Sequence, residues 1–376
     1  MQTTERSESI VTGRRGLELL CNLESFPVYI GCTSKPFAED VFADMTWMID
    51  RESGMIQLRD ILPQEIVYPE YHSEAIGSVW DEHRKEFCVF LAKYASKSIL
   101  EIGGSNGNLA REFLCRNGSE AKWTIVEPNP SFRECAGITV VREFFSSRTD
   151  LKGAETIVHS HVLEHLLDPN TILMHIHDSL PENGMHVFSI PNLYQYLKNR
   201  YSNSINFEHT YFLTEYFADY LLGKAGFSII EKKYFRQHSI FYATKKRLVY
   251  EAPCLVNHYP EYKSLYLEMI QFYKDEAQRL NTLMHSVKQR IFLFGAHIFS
   301  QFLLYCSLDS SGIEAILDNS SIKQGKRLYG TNLNVESPRI LKTVDRPIVI
   351  LKAGEYANEI KTDILNNINP DTVFWE

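Results

Sequence analysis

The chain has 376 residues, of which 44% are hydrophobic and 23% charged, and its formal net charge is -8. A chain of this length is too long to pack around a single hydrophobic core, which predicts two or three domains. The acidic balance gives no overall basic field for phosphate contacts, so it argues against a nucleic-acid partner. The segment MQTTERSESI has no apolar signal core, and no apolar run approaches a membrane span, which predicts a soluble, cytoplasmic protein with no membrane partner.

The cysteine pattern favours reduced thiols. The chain has 7 cysteines, an odd number, and no CxxC pair, so neither a disulfide framework nor a strong zinc signature is indicated. The positions are Cys21, Cys32, Cys88, Cys115, Cys135, Cys254 and Cys306.

Short apolar runs with Pro and Gly punctuation fill the first part of the chain, and SGMIQL at 53–58 indicates a strand after a turn. We assign residues 1–80 to a small N-terminal domain that covers the substrate. From EHRKEFCVFLAKY at 82 the pattern becomes helical, and strand-like and helix-like runs then alternate to about residue 243. This alternation predicts a parallel sheet with crossover helices in a second domain, residues 81–245.

Residues 246–289 are predicted to be a linker and a long packing helix, because apolar residues recur on one face between 261 and 289. The runs RIFLFGAHIFSQFLLY, IEAILDNS and PIVILKAG then predict a second α/β unit, residues 290–376.

A glycine-rich turn stands between strand and helix in SILEIGGSNGNLAREFL, residues 98–114, which places a ligand at the carboxyl end of the strand. A dinucleotide fingerprint, G-x-G-x-x-G, would need glycine where Ser105 and Asn108 stand. Gly103 and Gly107 fit E-x-G-x-x-x-G instead. Glu127 follows about 20 residues after this loop, at the end of a strand-like run, where its carboxylate could accept hydrogen bonds from two ribose hydroxyls.

With VLEHLLDP and LPENG further along, this pattern resembles the class I methyltransferases that use S-adenosylmethionine (SAM). The resemblance implies a Rossmann-like domain with SAM as cofactor. The candidate cofactor-binding residues are Glu101, Gly103, Gly104, Ser105, Gly107, Glu127, Pro128 and Ser160.

About nine-tenths of the chain resembles a narrower group, the three-domain sugar C-methyltransferases that act on nucleotide-linked 4-keto-deoxysugars. The likeness is carried by SGMIQL, YPEYHSEAIGSVWDEH at 68–83, INFEHTYF at 205–212, GAHIFS at 295–300 and ILDNSSIKQGKRLYGTNLNVESPRIL at 316–341. It implies an α/β fold in which the SAM domain is flanked by a small N-terminal domain and a C-terminal Rossmann-like α/β domain.

This chain departs from that group at two places. The group binds a structural zinc through paired cysteines, whereas here Cys21 is kept and Glu24, Asp50 and Ser53 stand at the other positions. Closed zinc sites prefer thiolate and imidazole ligands, so we predict no metal there.

In the second departure, Asn206 and Phe207 replace the tyrosine and first histidine of the active-site segment, and Glu208 and His209 remain.

C-methylation beside a ketone requires removal of an α-proton, and a neutral histidine suits that step. We predict His209 as the base and Glu208 as its orienting group. The resemblance adds His165 and a first-domain tyrosine, Tyr71 or the nearby Tyr68, which could donate to an enolate oxygen. The alternatives are that His165 belongs to the scaffold or the SAM side of the site, and that His209 is an ordinary residue of an aromatic wall.

Three functions stay open from the sequence. The first is C-methylation of a nucleotide-linked sugar, with Lys323, Lys326 and Arg327 facing the diphosphate unless they form a solvated loop. The second is O-methylation of a hydroxyl on a sugar or small polar metabolite, which needs a base and no enolate. The third is a catalytically silent homologue that binds SAM.

Overall fold

The computed structural model describes residues 3–68, 77–118, 120–132, 137–247 and 253–376. No helix in these ranges is both long and apolar enough to cross a membrane.

A three-stranded antiparallel sheet, in the order β2-β4-β5, forms the core of the N-terminal part. Its inner face carries fully buried residues such as Met45, Trp47 and Ile49. The elements here are β1 Thr4–Glu5, β2 Leu17–Pro27, β3 Cys32–Thr33, β4 Phe42–Asp50, β5 Ile56–Leu58, β6 Asp60–Ile61 and α1 Gln64–Val67.

Two of the positions aligned with zinc ligands belong to a hydrogen-bonded turn between β4 and β5. The Asp50 carboxylate accepts hydrogen bonds from the hydroxyls of Ser53 at 2.7 Å and Ser9 at 2.6 Å. Cys21 lies on β2 opposite Trp47 and away from this turn. These oxygen contacts join the N-terminal arm to the turn.

The central sheet of the described residues has seven strands in the order β12-β13-β11-β10-β7-β8-β9. The elements are α2 Ser78–Ala92, β7 Ser98–Ile102, α3 Asn108–Asn117, β8 Lys122–Val126, β9 Ile138–Val141, β10 Thr156–Ser160, α4 Pro169–Ser179, β11 Met185–Pro191, α5 Leu193–Lys198, α6 Glu215–Lys224, β12 Phe227–Phe235 and β13 Ser239–Lys246. The predicted α/β, Rossmann-like class is confirmed.

Strands β7 to β11 pair in parallel, whereas β13 is antiparallel to both β11 and β12. The prediction of a parallel sheet up to residue 243 is therefore wrong for this last pair. The cause is local: β12 and β13 are joined by the short turn 236–238, which closes an antiparallel hairpin, whereas a parallel neighbour needs a crossover.

The 28-residue helix α7, Tyr259–Ser286, leads into a parallel five-stranded sheet in the order β17-β15-β14-β18-β19. Buried tyrosines and methionines on α7, among them Tyr266, Met269 and Tyr273, confirm that it packs into the core. The C-terminal elements are β14 Ile291–Phe294, α8 Ile298–Tyr305, β15 Ala315–Leu317, β16 Arg327–Leu328, β17 Val335–Glu336, β18 Ile348–Leu351, α9 Ala357–Asp363 and β19 Val373–Trp375.

The N-terminal part is bonded to both later parts. Asp40 holds Arg327 through two hydrogen bonds of 2.6 and 2.7 Å, and β3 pairs with β16. Leu58 of β5 donates its backbone N–H to the carbonyl of Thr210 at 2.9 Å. Because each part has its own sheet and contacts its neighbours in this way, we propose that the chain is divided as predicted. The parts are an N-terminal domain, a SAM domain, a linking helix and a C-terminal domain.

Candidate functional site

The glycine loop between β7 and α3 has little room for side chains. Gly103 and Gly107 have φ values of +74° and +67°, a region that glycine enters without strain. A Cβ atom on Gly103 would lie 2.7 Å from Val162 Cγ2, and one on Gly104 would lie 2.4 Å from Ile125 Cγ2. The loop backbone is therefore packed against β8 and the β10 loop, at the edge of the sheet where parallel strands end.

Glu127 follows β8 and lies across this loop. One of its oxygens accepts the backbone N–H of Ser105 at 3.0 Å, and the other accepts that of Asn129 at 3.0 Å. A carboxylate has about four acceptor positions, so two of them remain for hydroxyl groups of a ligand. The fixed carboxylate of Glu127 fits the ribose of SAM, and the close-packed glycine loop fits its methionine part.

Three further predicted cofactor residues have different surroundings. Glu101 is buried behind the loop, where it accepts the indole N–H of Trp123 at 2.8 Å, and burial raises the pKa of its carboxyl to about 7. Ser160, at the end of β10, bonds Ser189 through the two hydroxyls at 2.8 Å. Pro128 is half-buried beside Glu127. We keep all three as proposed residues of the cofactor side.

The predicted acid–base residues converge beyond the ends of β10 and β11. His165 lies on the turn after β10, and its Nδ1 is 2.9 Å from the hydroxyl of Tyr68. The rings of His165 and His209 meet edge to face with centroids 4.7 Å apart. Tyr71 lies outside the described residues. Tyr68, the alternative from the sequence, thus lies at hydrogen-bond distance from His165, whose ring contacts that of His209.

Two buried carboxylates complete this cluster. Glu164 is fully buried, with an oxygen 3.8 Å from His165 Nε2 and 3.7 Å from His161 Nδ1. Glu208 is 7% exposed. Burial first, and then the negative charges of Glu208, Glu164 and Glu127, raise the pKa of Tyr68 well above its usual value. The phenol therefore keeps its proton and can act as a donor.

Neither Glu164 nor His161 was singled out from the sequence. Both belong to the run SHVLEHL, which begins with Ser160 at the end of β10 and in which only Ser160 and His165 were selected. The available signal was the position itself, because side chains just beyond the carboxyl end of a parallel strand line the ligand crevice.

His209 owes its position to Asn206. The amide oxygen of Asn206 accepts the backbone N–H of His209 at 2.8 Å, and its amide nitrogen donates to the carbonyl of Asn203 at 2.8 Å. Just beyond, the phenol of Tyr211 donates to the carbonyl of Leu163. The histidine is thereby held between the first domain and the turn that carries His165.

The basic residues predicted to face a diphosphate are partly engaged elsewhere. Arg327 is paired with Asp40, and Lys323 lies 3.2 Å from an oxygen of Asp318.

Two family models match the chain. One, described as a methyltransferase domain, matches residues 80–232, and the other, described as a C-methyltransferase C-terminal domain, matches residues 229–369. A search of curated proteins finds no match.

Solved structures with partial similarity include three methyltransferases. Mitomycin 7-O-methyltransferase is 14% identical, with 44% of this chain and 54% of that chain covered and a TM-score of 0.36. Human N-acetylserotonin methyltransferase, solved with SAM, is 18% identical, with 45% and 53% covered and a TM-score of 0.37. A SAM-dependent methyltransferase from Mesorhizobium loti is 14% identical, with 43% and 96% covered and a TM-score of 0.34.

The chain spans about half the length of the first two of these structures. The family match over residues 80–232 includes the glycine loop, Glu127 and the cluster of Glu164, His165 and His209. This chain therefore carries a class I SAM-dependent methyltransferase domain, with SAM as its cofactor.

Proposed function

We propose that the protein transfers a methyl group from SAM to the carbon next to the ketone of a nucleotide-linked sugar. The observation that carries the proposal is the contact of Tyr68, His165 and His209 at the sheet edge that holds the glycine loop and Glu127. The match of residues 229–369 to a C-methyltransferase C-terminal domain supports carbon as the acceptor. The phenol of Tyr68 beside His165, with the imidazole of His209 against the same ring, supplies both a proton donor and a proton acceptor, which enolate chemistry needs.

In the proposed reaction His209 removes the α-proton: the C–H bond breaks and its electrons form the enolate. Tyr68 donates a hydrogen bond to the developing oxyanion, and Glu208 orients the imidazole and stabilises its charged form. SAM, when bound, supplies an electrophilic methyl group. The cluster is half-buried and lies beside the buried carboxylates of Glu164 and Glu208, which reduces its exposure to bulk water and strengthens the electrostatic interactions within it.

The nucleotide-linked sugar is proposed from the resemblance of the last domain and from its position. The C-terminal part is bonded to the N-terminal domain through Arg327 and Asp40, and both parts flank the SAM domain. A sugar carried on a nucleoside diphosphate is long enough to be gripped by two domains while its ketone meets the catalytic cluster. The corresponding role would be in carbohydrate biosynthesis in the cytoplasm.

Hydrogen exchange tests the enolate directly. The enzyme is incubated in D₂O with S-adenosylhomocysteine and a nucleotide-linked 4-keto sugar, and the α-position is followed by NMR. We expect exchange without methyl transfer. His209→Gln should slow it by about 10² to 10⁴-fold, the usual contribution of a general base. His175→Gln is the matched control, because His175 bonds only the Thr149 carbonyl among its described partners and lies on α4.

The other two functions are distinguished by repeating the incubation with SAM in place of S-adenosylhomocysteine, so that methyl transfer and exchange are both followed. Methyl transfer to a sugar or metabolite with no exchange at carbon would establish O-methylation. Binding of SAM and sugar nucleotide with neither exchange nor transfer would establish a silent homologue.

Tyr68→Phe should lower the turnover number more than it changes the Michaelis constant, because the phenol donates its hydrogen bond to the oxyanion that develops during the reaction.

A further inference from the structure

Three histidines from separate elements meet behind the catalytic cluster. His83 lies on α2, His161 directly after β10, and His238 in the turn between β12 and β13. Their ring centroids are 5.4, 5.7 and 5.6 Å apart, which is close to an equilateral triangle. Trp80 contacts all three rings and covers one side of the triangle.

The triangle has the size of a metal site. One ligand nitrogen from each histidine lies within 4.8 Å of the others. Three imidazoles bound tetrahedrally to zinc, with Zn–N distances of about 2.1 Å, would place their nitrogens about 3.4 Å and their ring centres about 5 Å apart. The 4.8 Å limit on the observed separations exceeds this nitrogen spacing by about 1.4 Å, which is the most that the side chains would have to close on binding an ion.

Two of the ring nitrogens already point at one atom. His161 Nε2 lies 2.8 Å, and His238 Nδ1 2.6 Å, from the hydroxyl oxygen of Ser239. The third member has an unsatisfied nitrogen: His83 is 2% exposed, and its Nε2 is buried with no hydrogen-bond partner among the described residues. An unpartnered buried nitrogen is costly, and a cation at the centre of the triangle would satisfy it.

The outer nitrogens of two rings have the neighbours that support a metal ligand. His161 Nδ1 lies 3.7 Å from the carboxylate of Glu164, and His238 Nε2 lies 3.0 Å from the hydroxyl of Tyr356. Metal-binding histidines commonly hydrogen-bond through the second ring nitrogen, which fixes the ring and its tautomer. The His238–Tyr356 pair is already at hydrogen-bond distance, whereas the His161–Glu164 pair is an ionic neighbour beyond that distance. His161 also has a φ of +52°, a strained conformation for a residue other than glycine.

Burial keeps these rings in the form that binds metals. It lowers the pKa of His83 and of His161 well below the ordinary value and that of His238 to about 4. Each imidazole is therefore neutral near pH 7, and metal binding needs no loss of a proton.

We propose that His83, His161 and His238 bind one divalent transition-metal ion, most suitably Zn²⁺, with the hydroxyl of Ser239 or a water as the fourth ligand. Imidazole ligands and fourfold coordination favour zinc over Mg²⁺ or Ca²⁺, which prefer oxygen. The ion would join α2 to the ends of β10 and β13 and, through Tyr356, to the C-terminal part. This inference is independent of the acceptor proposed above.

Cobalt substitution tests the site. Tag-free protein, stripped with a chelator, is titrated with Co²⁺ and followed by visible absorption, and then with Zn²⁺ and followed by thermal unfolding. We expect one equivalent of Co²⁺ with the intense bands of a four-coordinate ion, displacement by Zn²⁺, and a rise in Tm that chelator reverses. His83→Phe and His238→Gln should each weaken Co²⁺ binding at least a hundredfold; the phenyl group suits a pocket lined by Phe235 and Phe241.

Two controls locate the ion. His186→Gln changes another buried histidine, which pairs with His159 outside the cluster, and should leave Co²⁺ binding unchanged. His209→Gln removes a member of the second candidate cluster, Glu164, His165 and His209, and should also leave it unchanged. Loss of binding in His209→Gln alone would assign the ion to the catalytic cluster and overturn the proposal. The proposal would also be overturned if the wild-type protein bound less than a tenth of an equivalent of Co²⁺. That result does not depend on whether the variants fold.

Discussion

Glu101→Gln should change how the stability of this protein depends on pH. The Glu101 carboxyl is 4% exposed, and burial, with a smaller contribution from the charge of Glu127, raises its pKa from 4.5 to about 7. In the unfolded chain the group ionises near 4.5, so between pH 4.5 and 7 the unfolded state releases a proton that the folded state retains. Stability present below pH 4.5 is therefore lost as the pH rises through 7. At about 1.4 kcal/mol per pH unit, the loss is about 3 kcal/mol.

Glutamine has the shape of the protonated acid, keeps an oxygen for the indole N–H of Trp123, and does not titrate. Urea unfolding of wild type and Glu101→Gln, followed by the fluorescence of the buried Trp123 region, is compared at pH 4.5, 5.5, 6.5 and 7.5. Because other titrating groups are shared, the difference between the two free energies of unfolding isolates Glu101. The variant should gain about 3 kcal/mol relative to wild type between pH 4.5 and 7.5. Parallel curves would refute the reasoning and show that Glu101 ionises normally.

Two further substitutions test the cofactor loop and the contact between domains. Gly107→Ala should raise the SAM dissociation constant at least tenfold in calorimetry, because φ is +67° and the new Cβ would lie 2.9 Å from the Phe132 ring. Gly118→Ala is the control, because this glycine has a φ of +89° but no atom within 4 Å of the new Cβ. It should lower the free energy of unfolding by about 1 kcal/mol and leave the SAM affinity unchanged. Asp40→Asn should lower the free energy of unfolding, measured in urea, by about 3 kcal/mol. The substitution leaves the guanidinium of Arg327, whose side chain is 11% exposed, without its counter-charge. An unchanged urea midpoint of unfolding would contradict this.

The proposed cofactor side of the site could be located from the sequence because the residues that form it are close together along the chain. The loop from Gly103 to Gly107 follows its own strand directly, and Glu127 ends the next strand, which pairs in parallel with the first. Parallel pairing brings the carboxyl ends of neighbouring strands to one edge, so spacing along the chain translates into proximity. The antiparallel pairing of β12 and β13 was not predicted because a local signal is missing there. The three-residue turn between the two strands contains no glycine, proline or asparagine to mark a hairpin.

The substrate side depends on contacts between distant parts of the chain. Tyr68 and His165 are separated by 97 positions, and His83, His161 and His238 come from three elements. No periodicity relates such residues, and each alone resembles an ordinary core residue. Their convergence follows only from the docking of the N-terminal part and α2 on the sheet.

The replacement of the expected tyrosine by Asn206 weakens the proposed chemistry less than the sequence suggests. Asn206 has no proton to exchange, but both ends of its amide bond the backbone of the turn that presents His209. A tyrosine at this position could not bond the turn in the same way, because a hydroxyl lacks the paired donor and acceptor groups of an amide. The phenol needed for the oxyanion can come instead from Tyr68, which touches His165 and stays protonated among three carboxylates. In the proposed mechanism Asn206 positions the base and Tyr68 donates the proton, two roles that belong to different parts of the chain, so catalysis should depend on the N-terminal part remaining docked.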